Sequence, residues 1–294
     1  MNAAQARMKA VEILKKNPFV AAATPELDAS ILLSKILGVS RTMLLAHPEI
    51  GLTREQEKDF ISQLEMRLQG TPIAYITQEK EFWGLRFKVT PAVLIPKPDT
   101  EILVERACGI VQSIRIAHPG APIRVLDVCT GSGCIAIAVK RSCPYAEVSA
   151  TDISGEALEI ARENSRALVD DEVSFIQGDL RQGLPRIQGG WSLVVSNPPY
   201  VPSLVARSLL EDGRGEPLSA LDGGSDGLDL VRALVPAALD VLAPNSRILI
   251  ESGEYNASET ARILKSSGFT DIVIHKDLEN QDRVAEGKSH DGIP

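Results

Sequence analysis

The alternation of short apolar strands with helical segments, from about residue 101 onward, is what most constrains the fold of this 294-residue chain. Consecutive parallel strands need a long crossover connection, which is usually a helix. The alternation therefore predicts an α/β domain with a mostly parallel, doubly wound sheet and helices on both faces. The predicted strands are 123–128, 147–150, 173–176, 192–195, 247–250 and 271–275.

Residues 1–76 have the pattern of a small helical domain. Thr53 and Gln56 have the spacing of a capping box, which predicts that a helix begins there. Gly38 predicts the end of an earlier helix. The apolar stripe predicted for that earlier helix consists of Leu27, Ile31, Leu33 and Leu37.

Residues 77–100 predict a β-hairpin linker between the helical domain and an α/β domain that spans 101–294. Leu85, Phe87 and Val89 alternate with polar residues, which is typical of a strand with one buried face. The prolines that follow, Pro91 and Pro96, break regular structure.

Composition limits the classes of function. The net charge of −8 does not favour binding to nucleic acid, which usually needs a broad basic face. No apolar run reaches the roughly 18–20 residues that span a bilayer, and no secretory signal is recognisable, so we expect no membrane association. The four cysteines form no C-x-x-C pair, which predicts no metal site and a reduced, cytoplasmic protein.

Residues that suit a nucleoside follow three successive predicted strands. A glycine loop after the first strand can bring backbone N–H groups close to a ligand. Asp152, after the second strand, can accept hydrogen bonds from ribose hydroxyls. Asp179 and Leu180, after the third, can bind the amino group and the ring of adenine. The predicted cofactor residues are Asp127, Cys129, Thr130, Gly131, Ser132, Gly133, Asp152, Asp179 and Leu180.

The glycine loop by itself also permits a dinucleotide such as NAD. Its sequence, from Gly131 to Ala136, is close to the G-x-G-x-x-G/A fingerprint for a pyrophosphate. The choice between a dinucleotide and a nucleoside methyl donor therefore depends on the fourth strand.

The fourth predicted strand ends in Asn197, Pro198, Pro199 and Tyr200. Two prolines end the strand and fix the backbone, so the Pro198 carbonyl has a preset direction. This carbonyl and the Asn197 side-chain carbonyl can accept both hydrogens of one NH2 group. Tyr200 can stack on a flat group. The pattern predicts a site that holds a planar nitrogen, with Asn197 also bordering the cofactor.

These four residues resemble the motif of methyltransferases that act on planar nitrogen, and other segments narrow the resemblance. The chain is similar to the bacterial peptide chain release factor glutamine methyltransferases, the HemK/PrmC family, over nearly its whole length. The segments that carry this similarity are 71–76, 81–85, 94–101 and 216–221.

The resemblance implies a helical N-terminal domain that recognises the substrate, a hairpin linker and a Rossmann-like class I methyltransferase domain. It implies S-adenosyl-L-methionine as cofactor and methylation of the glutamine in the Gly-Gly-Gln tripeptide of class I release factors. Cys129 and Gln78 stand where the family usually has glycine, and Lys97 stands where it usually has arginine. Residues 250–255 follow the family pattern only loosely.

Three other functions stay open at this point. One is a glutamine methyltransferase of a ribosomal protein, whose linker reads differently after the segment at 94–97. Another is an adenine-amino methyltransferase of nucleic acid, which would flip a base onto Tyr200 but would need a basic recognition segment. A third is a nucleoside-binding protein without catalysis. The residues 98–101 favour release factors as the substrate.

Overall fold

The computed structural model describes residues 1–16, 24–211 and 215–290. They divide into two compact units. The first unit comprises Met1–Glu79 together with Ser208–Gly215, and the second comprises Lys80–Arg207 and the described chain from Glu216 onward. Within the described ranges, no helix is long and apolar enough to cross a membrane.

The first unit is helical, as the sequence predicts. Its helices are α1 (Ala3–Lys15), α2 (Pro25–Leu37), α3 (Arg41–Ala46), α4 (Arg54–Leu68) and α5 (Ile73–Thr77). The predicted capping box of α4 is present, with Thr53 and Gln56 each accepting from the other's backbone. Gly38 ends α2 in the left-handed conformation, with φ of 66°, as glycine readily does.

The inner face of α2 differs from the predicted apolar stripe. Leu32 and Leu33 are fully buried, whereas Leu27 and Ile31 are only half-buried. The buried face also contains Asp28, whose carboxylate pairs with the Arg67 guanidinium of α4 at 2.8 Å. Because Asp28 is polar, it was not included in the predicted apolar stripe. The predicted stripe is therefore rotated around the helix relative to the face that is buried.

The second unit is an α/β domain. Its strands are β1 (Glu79–Phe82), β2 (Leu85–Lys88), β3 (Arg124–Val128), β4 (Glu147–Asp152), β5 (Val173–Gln177), β6 (Trp191–Ser196), β7 (Leu242–Glu251), β8 (Thr270–Lys276) and β9 (Asp282–Lys288). Its helices are α6 (Glu101–Ala117), α7 (Cys134–Ser142), α8 (Gly155–Val169), α10 (Asp229–Leu239) and α11 (Ala257–Ser266), whereas α9 (Ser203–Glu211) is divided between the two units at Ser208.

Seven strands form one mostly parallel sheet in the order β5-β4-β3-β6-β7-β9-β8, which confirms the predicted fold class. Residues that alternate along β3 face opposite sides: Val125 packs in one apolar core and Leu126 in the other. The sheet is therefore covered on both faces, as expected for a doubly wound domain.

The strand β9, which lies antiparallel between β7 and β8, was not predicted from the sequence. Its polar sequence contains Glu286, which is nonetheless buried because it pairs with Arg247 and with His275. Val284 and Ala285 of β9 are fully buried in the two apolar cores, but these two residues stand between charged ones and form too short an apolar run to predict a strand.

The hairpin β1–β2 packs within the second unit. Phe82 and Phe87 belong to the apolar core on one face of the sheet. The buried Asn164 of α8 accepts from Lys88 N at 2.7 Å and donates to Lys88 O at 3.0 Å and to Ser132 O at 2.9 Å. One side chain thus ties the hairpin, a helix and the glycine loop together.

Candidate active site

A cavity of about 610 Å³ lies at the carboxyl ends of the parallel strands. The ends are level, because Val128 of β3 lies opposite Thr151 of β4 and Ser196 of β6, and Ser196 lies opposite Ile250 of β7. This edge is where open α/β sheets bind ligands. The predicted site residues on the cavity wall are Cys129, Thr130, Gly131, Ser132, Asp152, Asp179, Leu180, Asn197 and Pro199.

Asp127 lies beneath the glycine loop and not on the cavity wall. It is fully buried, and its Oδ2 accepts from Thr130 Oγ1 at 2.5 Å and from Ala136 N at 3.2 Å. Burial raises the pKa of Asp127 to about 7. Its place in the fold is that of a support, which fastens the loop to the first turn of α7.

The loop also needs special backbone angles. Cys129 has φ of 60°, in the left-handed region that costs a residue with a Cβ about 1–2 kcal/mol. This is the position where glycine was expected from the family resemblance. Gly133, unlike Cys129, does not line the cavity wall. A Cβ at Gly133 would come within 3.1 Å of Ala161 Cβ.

Asp152 borders the cavity with both carboxylate oxygens already engaged. Oδ2 accepts from Gly131 N and Oδ1 from Ser154 N, each at 2.9 Å. Each oxygen keeps a further lone pair for a ligand hydroxyl. Burial raises the pKa of Asp152. The carboxylate therefore sets the shape of the loop and remains able to bind.

An apolar slot lies beside this carboxylate. Ile153 and Leu180 line it, and Ile153 is 59% exposed. Asp179 caps the short 3-10 helix that follows, accepting from Arg181 N at 2.9 Å. An acid for hydroxyls, apolar side chains for a flat ring and a second acid for an amino group together fit a nucleoside.

Asn197 lies on the same cavity wall. Its Nδ2 donates to Thr100 Oγ1 at 3.3 Å, and no donor to its Oδ1 is found in the part of the chain that the structure describes. The side-chain carbonyl is therefore free to accept from a substrate. Pro198 is buried and Tyr200 half-buried, and neither is part of the wall. Burial also raises the pKa of Tyr200.

The turn at residues 223–227 holds the Asn197 segment in place by direct backbone contact. A Cβ at Gly223 would lie 2.6 Å from Pro199 O, and one at Gly227 would overlap Tyr200 O. Gly227 also has φ of 80°, which disfavours any other residue. Tyr200 O additionally accepts from Asn256 Nδ2 at 3.2 Å.

Gly227→Ala is expected to lower kcat by about tenfold to a hundredfold, since a displacement of about 1 Å at the reacting group has costs of this size. Affinity for the cofactor should change less, because the glycine loop and Asp152 lie elsewhere on the wall. Steady-state kinetics and calorimetry would measure the two effects. Gly109→Ala, on an open helical surface, is the control. Wild-type kcat in Gly227→Ala would contradict the proposed role of this contact.

Four residues that shape the site were not predicted as site residues from the sequence. Glu251 is the last residue of β7, lies beside Asn197 and is 1% exposed. The sequence feature that could have predicted it is an acid at the end of an apolar strand. Thr100 is buried and accepts from Asn197. Lys97 on the cavity wall pairs with Glu216 at 2.7 Å, and Glu216 also accepts from Ile95 N at 3.3 Å.

Comparison with solved structures shows the fold of the chain. The hMettl16 catalytic domain in complex with MAT2A 3'UTR hairpin 1 aligns with a TM-score of 0.55 and 11% identity, covering 94% of each chain. A methyltransferase from Pyrococcus furiosus aligns with a TM-score of 0.50 and 16% identity, covering 81% of this chain and 100% of the other. These similarities identify a class I methyltransferase fold.

Sequence comparison is more specific. Residues 5–77 match the PrmC N-terminal domain, and residues 114–211 match the methyltransferase small domain. The release factor glutamine methyltransferase of Coxiella burnetii is 37% identical over 261 residues, 89% of this chain and 91% of the relative. That of Burkholderia pseudomallei is 36% identical over 285 residues, 95% of each chain. This chain therefore belongs to the release factor glutamine methyltransferase family, and it is a methyltransferase.

Proposed function

We propose that this enzyme methylates the side-chain amide nitrogen of the glutamine in the Gly-Gly-Gln motif of class I peptide chain release factors, with S-adenosyl-L-methionine as methyl donor. The observation that carries the proposal is that Asn197 shares one cavity with the glycine loop and Asp152. A methyl donor and a planar amide could therefore meet inside a single site.

The cofactor end is formed by groups that suit the parts of S-adenosyl-L-methionine. Asp152 would accept from the ribose hydroxyls, and the apolar slot of Ile153 and Leu180 would hold the adenine ring. Asp179 would accept from the adenine amino group. Bound there, the cofactor would supply a methyl group on a sulfonium centre, which is already electrophilic.

At the substrate end, Asn197 on the cavity wall would accept from the target NH2 group, and the proposed second acceptor is the carbonyl of the next residue, Pro198, which is buried and does not itself line the wall. An amide nitrogen is a poor nucleophile because its lone pair is delocalised into the carbonyl. Two acceptors that hold both hydrogens of the NH2 group would orient the nitrogen and favour localised electron density on it. Positioning of this kind can provide much of a rate enhancement. The proton lost after transfer can pass to water.

The helical unit is proposed to recognise the folded release factor. It contains the match to the PrmC N-terminal domain, and it contributes no residue to the cavity wall in the described chain. Because release factors act during translation, the proposed site of action is the cytoplasm, and no membrane or nucleic-acid partner is needed.

The test is methylation of a purified class I release factor with labelled S-adenosyl-L-methionine, followed by peptide mass spectrometry. We expect one methyl group on the glutamine of Gly-Gly-Gln and none when that glutamine is replaced by alanine. The intact release factor should be a better substrate than the isolated Gly-Gly-Gln peptide. Methylation of a ribosomal protein or of an adenine-containing oligonucleotide, with none on the release factor, would refute the proposal.

A further inference from the structure

The last residue of β7, Glu251, carries a buried carboxyl group that has no role in the proposed chemistry. Glu251 follows Ile250, which lies opposite Ser196, so Glu251 is the neighbour of Asn197 across the sheet. It is 1% exposed and does not line the cavity. Glu251 therefore lies behind the cavity wall, and it can act on the reaction through another side chain.

The Glu251 carboxyl group lacks the hydrogen bonds that burial normally demands. Neither oxygen has a hydrogen-bond partner of normal geometry among the described residues. A buried carboxylate without such partners is destabilising. The Thr100 and Asn197 side chains nevertheless lie close enough to favour the charged form of Glu251.

The Thr100 hydroxyl connects the two residues. Its oxygen accepts from Asn197 Nδ2 at 3.3 Å, and its own proton has no acceptor within normal geometry in the described chain. If that proton points at the Glu251 carboxylate, a lone pair of the hydroxyl is left facing Asn197 Nδ2. The Asn197 amide is then fixed with Nδ2 towards Thr100 and Oδ1 towards the cavity.

We infer that Glu251 is a positioning residue that acts through the Thr100 hydroxyl to hold the Asn197 carbonyl towards the target nitrogen. This inference rests on the proposed function, because it assigns Asn197 the role of gripping an NH2 group. The inference adds a series of three interacting side chains, Asn197, Thr100 and Glu251, of which only Asn197 would touch the substrate.

This series of interactions requires Glu251 in its charged form, because only a carboxylate accepts from Thr100 without also donating to it. Burial raises the pKa of Glu251 to about 7. Arg283 of β9 lowers this pKa, Asp99 raises it, and Tyr200 and Cys134 are the other titratable groups that interact with Glu251. Below the pKa, a protonated Glu251 can donate to Thr100, whose proton would then turn towards Asn197 Nδ2. Activity should therefore rise as the pH increases through about 7.

The experiment measures kcat of the full-length enzyme from pH 6 to pH 9 with saturating S-adenosyl-L-methionine and release factor. For the wild type we expect kcat to rise about tenfold between one pH unit below the pKa of Glu251 and the plateau at higher pH. Glu251→Gln should abolish this rise, and Glu251→Leu and Thr100→Val should lower plateau kcat at least about tenfold. Thr100→Ser, which keeps the hydroxyl, should retain more activity than Thr100→Val.

Two further measurements separate positioning from a merely structural role. Affinity for S-adenosyl-L-methionine should stay within about threefold of wild type in the Glu251 variants. The Tm of Glu251→Gln at pH 8 should equal or exceed that of wild type, because a buried charge is removed. Glu254→Gln, a change at an exposed neighbouring acid, should leave kcat and its pH profile unchanged.

The inference is overturned if Glu251→Gln keeps the wild-type rise, which would then belong to another group such as Asp127. It is equally overturned if wild-type kcat shows no rise near pH 7, a result that needs no variant to fold. Loss of cofactor affinity in parallel with kcat would also overturn it. A wild-type enzyme that does not methylate the release factor would instead refute the proposed function.

Discussion

Asn197→Ala is expected to lower kcat for release-factor methylation about a hundredfold or more, with little loss of affinity for S-adenosyl-L-methionine. The substitution removes the side-chain carbonyl that would accept from the target NH2 group. Misplacement of a reacting group by about 1 Å can cost about a hundredfold. Single-turnover kinetics with saturating methyl donor would measure the effect, and calorimetry would measure cofactor binding.

Asn197→Asp separates two contributions of the same side chain. It keeps an acceptor towards the substrate but loses the Nδ2 group that donates to Thr100 and places a second carboxylate beside Glu251. If the acceptor alone matters, the aspartate retains part of the activity that alanine loses. If the bond to Thr100 fixes the rotamer, both variants are nearly inactive. Turnover close to wild type in Asn197→Ala would refute the proposed grip on the substrate.

Asp152→Ala is expected to weaken binding of S-adenosyl-L-methionine by at least about a hundredfold. Hydrogen bonds to a charged group contribute about 1.5–3 kcal/mol each, and two ribose bonds would be lost. The variant also leaves Gly131 N and Ser154 N without their acceptor, which loosens the glycine loop. Titration calorimetry gives the Kd.

Two other variants define the cause of that loss. Asp152→Asn keeps one acceptor oxygen and should bind the cofactor with intermediate affinity. Glu159→Ala removes one negative charge from the exposed side of α8, the helix that follows Asp152 in the sequence. This control variant should leave the Kd unchanged. An unchanged Kd in Asp152→Ala would remove this residue from the cofactor site.

Local patterns predicted the elements that position the site. Thr53 was predicted to cap a helix, and it does, because a cap depends on residues only three or four apart. The strands that end before Cys129, at Asp152 and before Asn197 were predicted from apolar runs. Since the carboxyl ends of parallel strands meet at one edge, these runs sufficed to predict that the loop, Asp152 and Asn197 would share a cavity.

The family resemblance added what local patterns could not. Strand ends alone left a dinucleotide, an adenine base and a glutamine amide as possible ligands. Similarity over nearly the whole chain selected among these classes, and the relatives in Coxiella burnetii and Burkholderia pseudomallei confirm the family. The assignment of individual residues to cofactor and substrate stays a prediction.

Some predicted residues proved to support the site without lining it. Asp127 was expected among the cofactor residues, but it lies under the loop with its carboxyl group bonded to Thr130 and Ala136. From the sequence, an acid at a strand end looks the same whether it faces the cavity or the core. Only the tertiary structure shows that this acid lies beneath the loop, where Thr130 and Ala136 donate to it.

The sequence by itself determined the α/β fold, the helical first unit and the edge of the sheet that carries the site, because these follow from local periodicity and short-range capping. The tertiary structure alone decided which distant groups meet there. Strand register brings Glu251 beside Asn197, and the short turn before α6 brings Thr100 into contact with Asn197. The turn at residues 223–227 packs Gly227 against Tyr200 O. Such contacts depend on how strands and loops pack, which no local pattern of residues records.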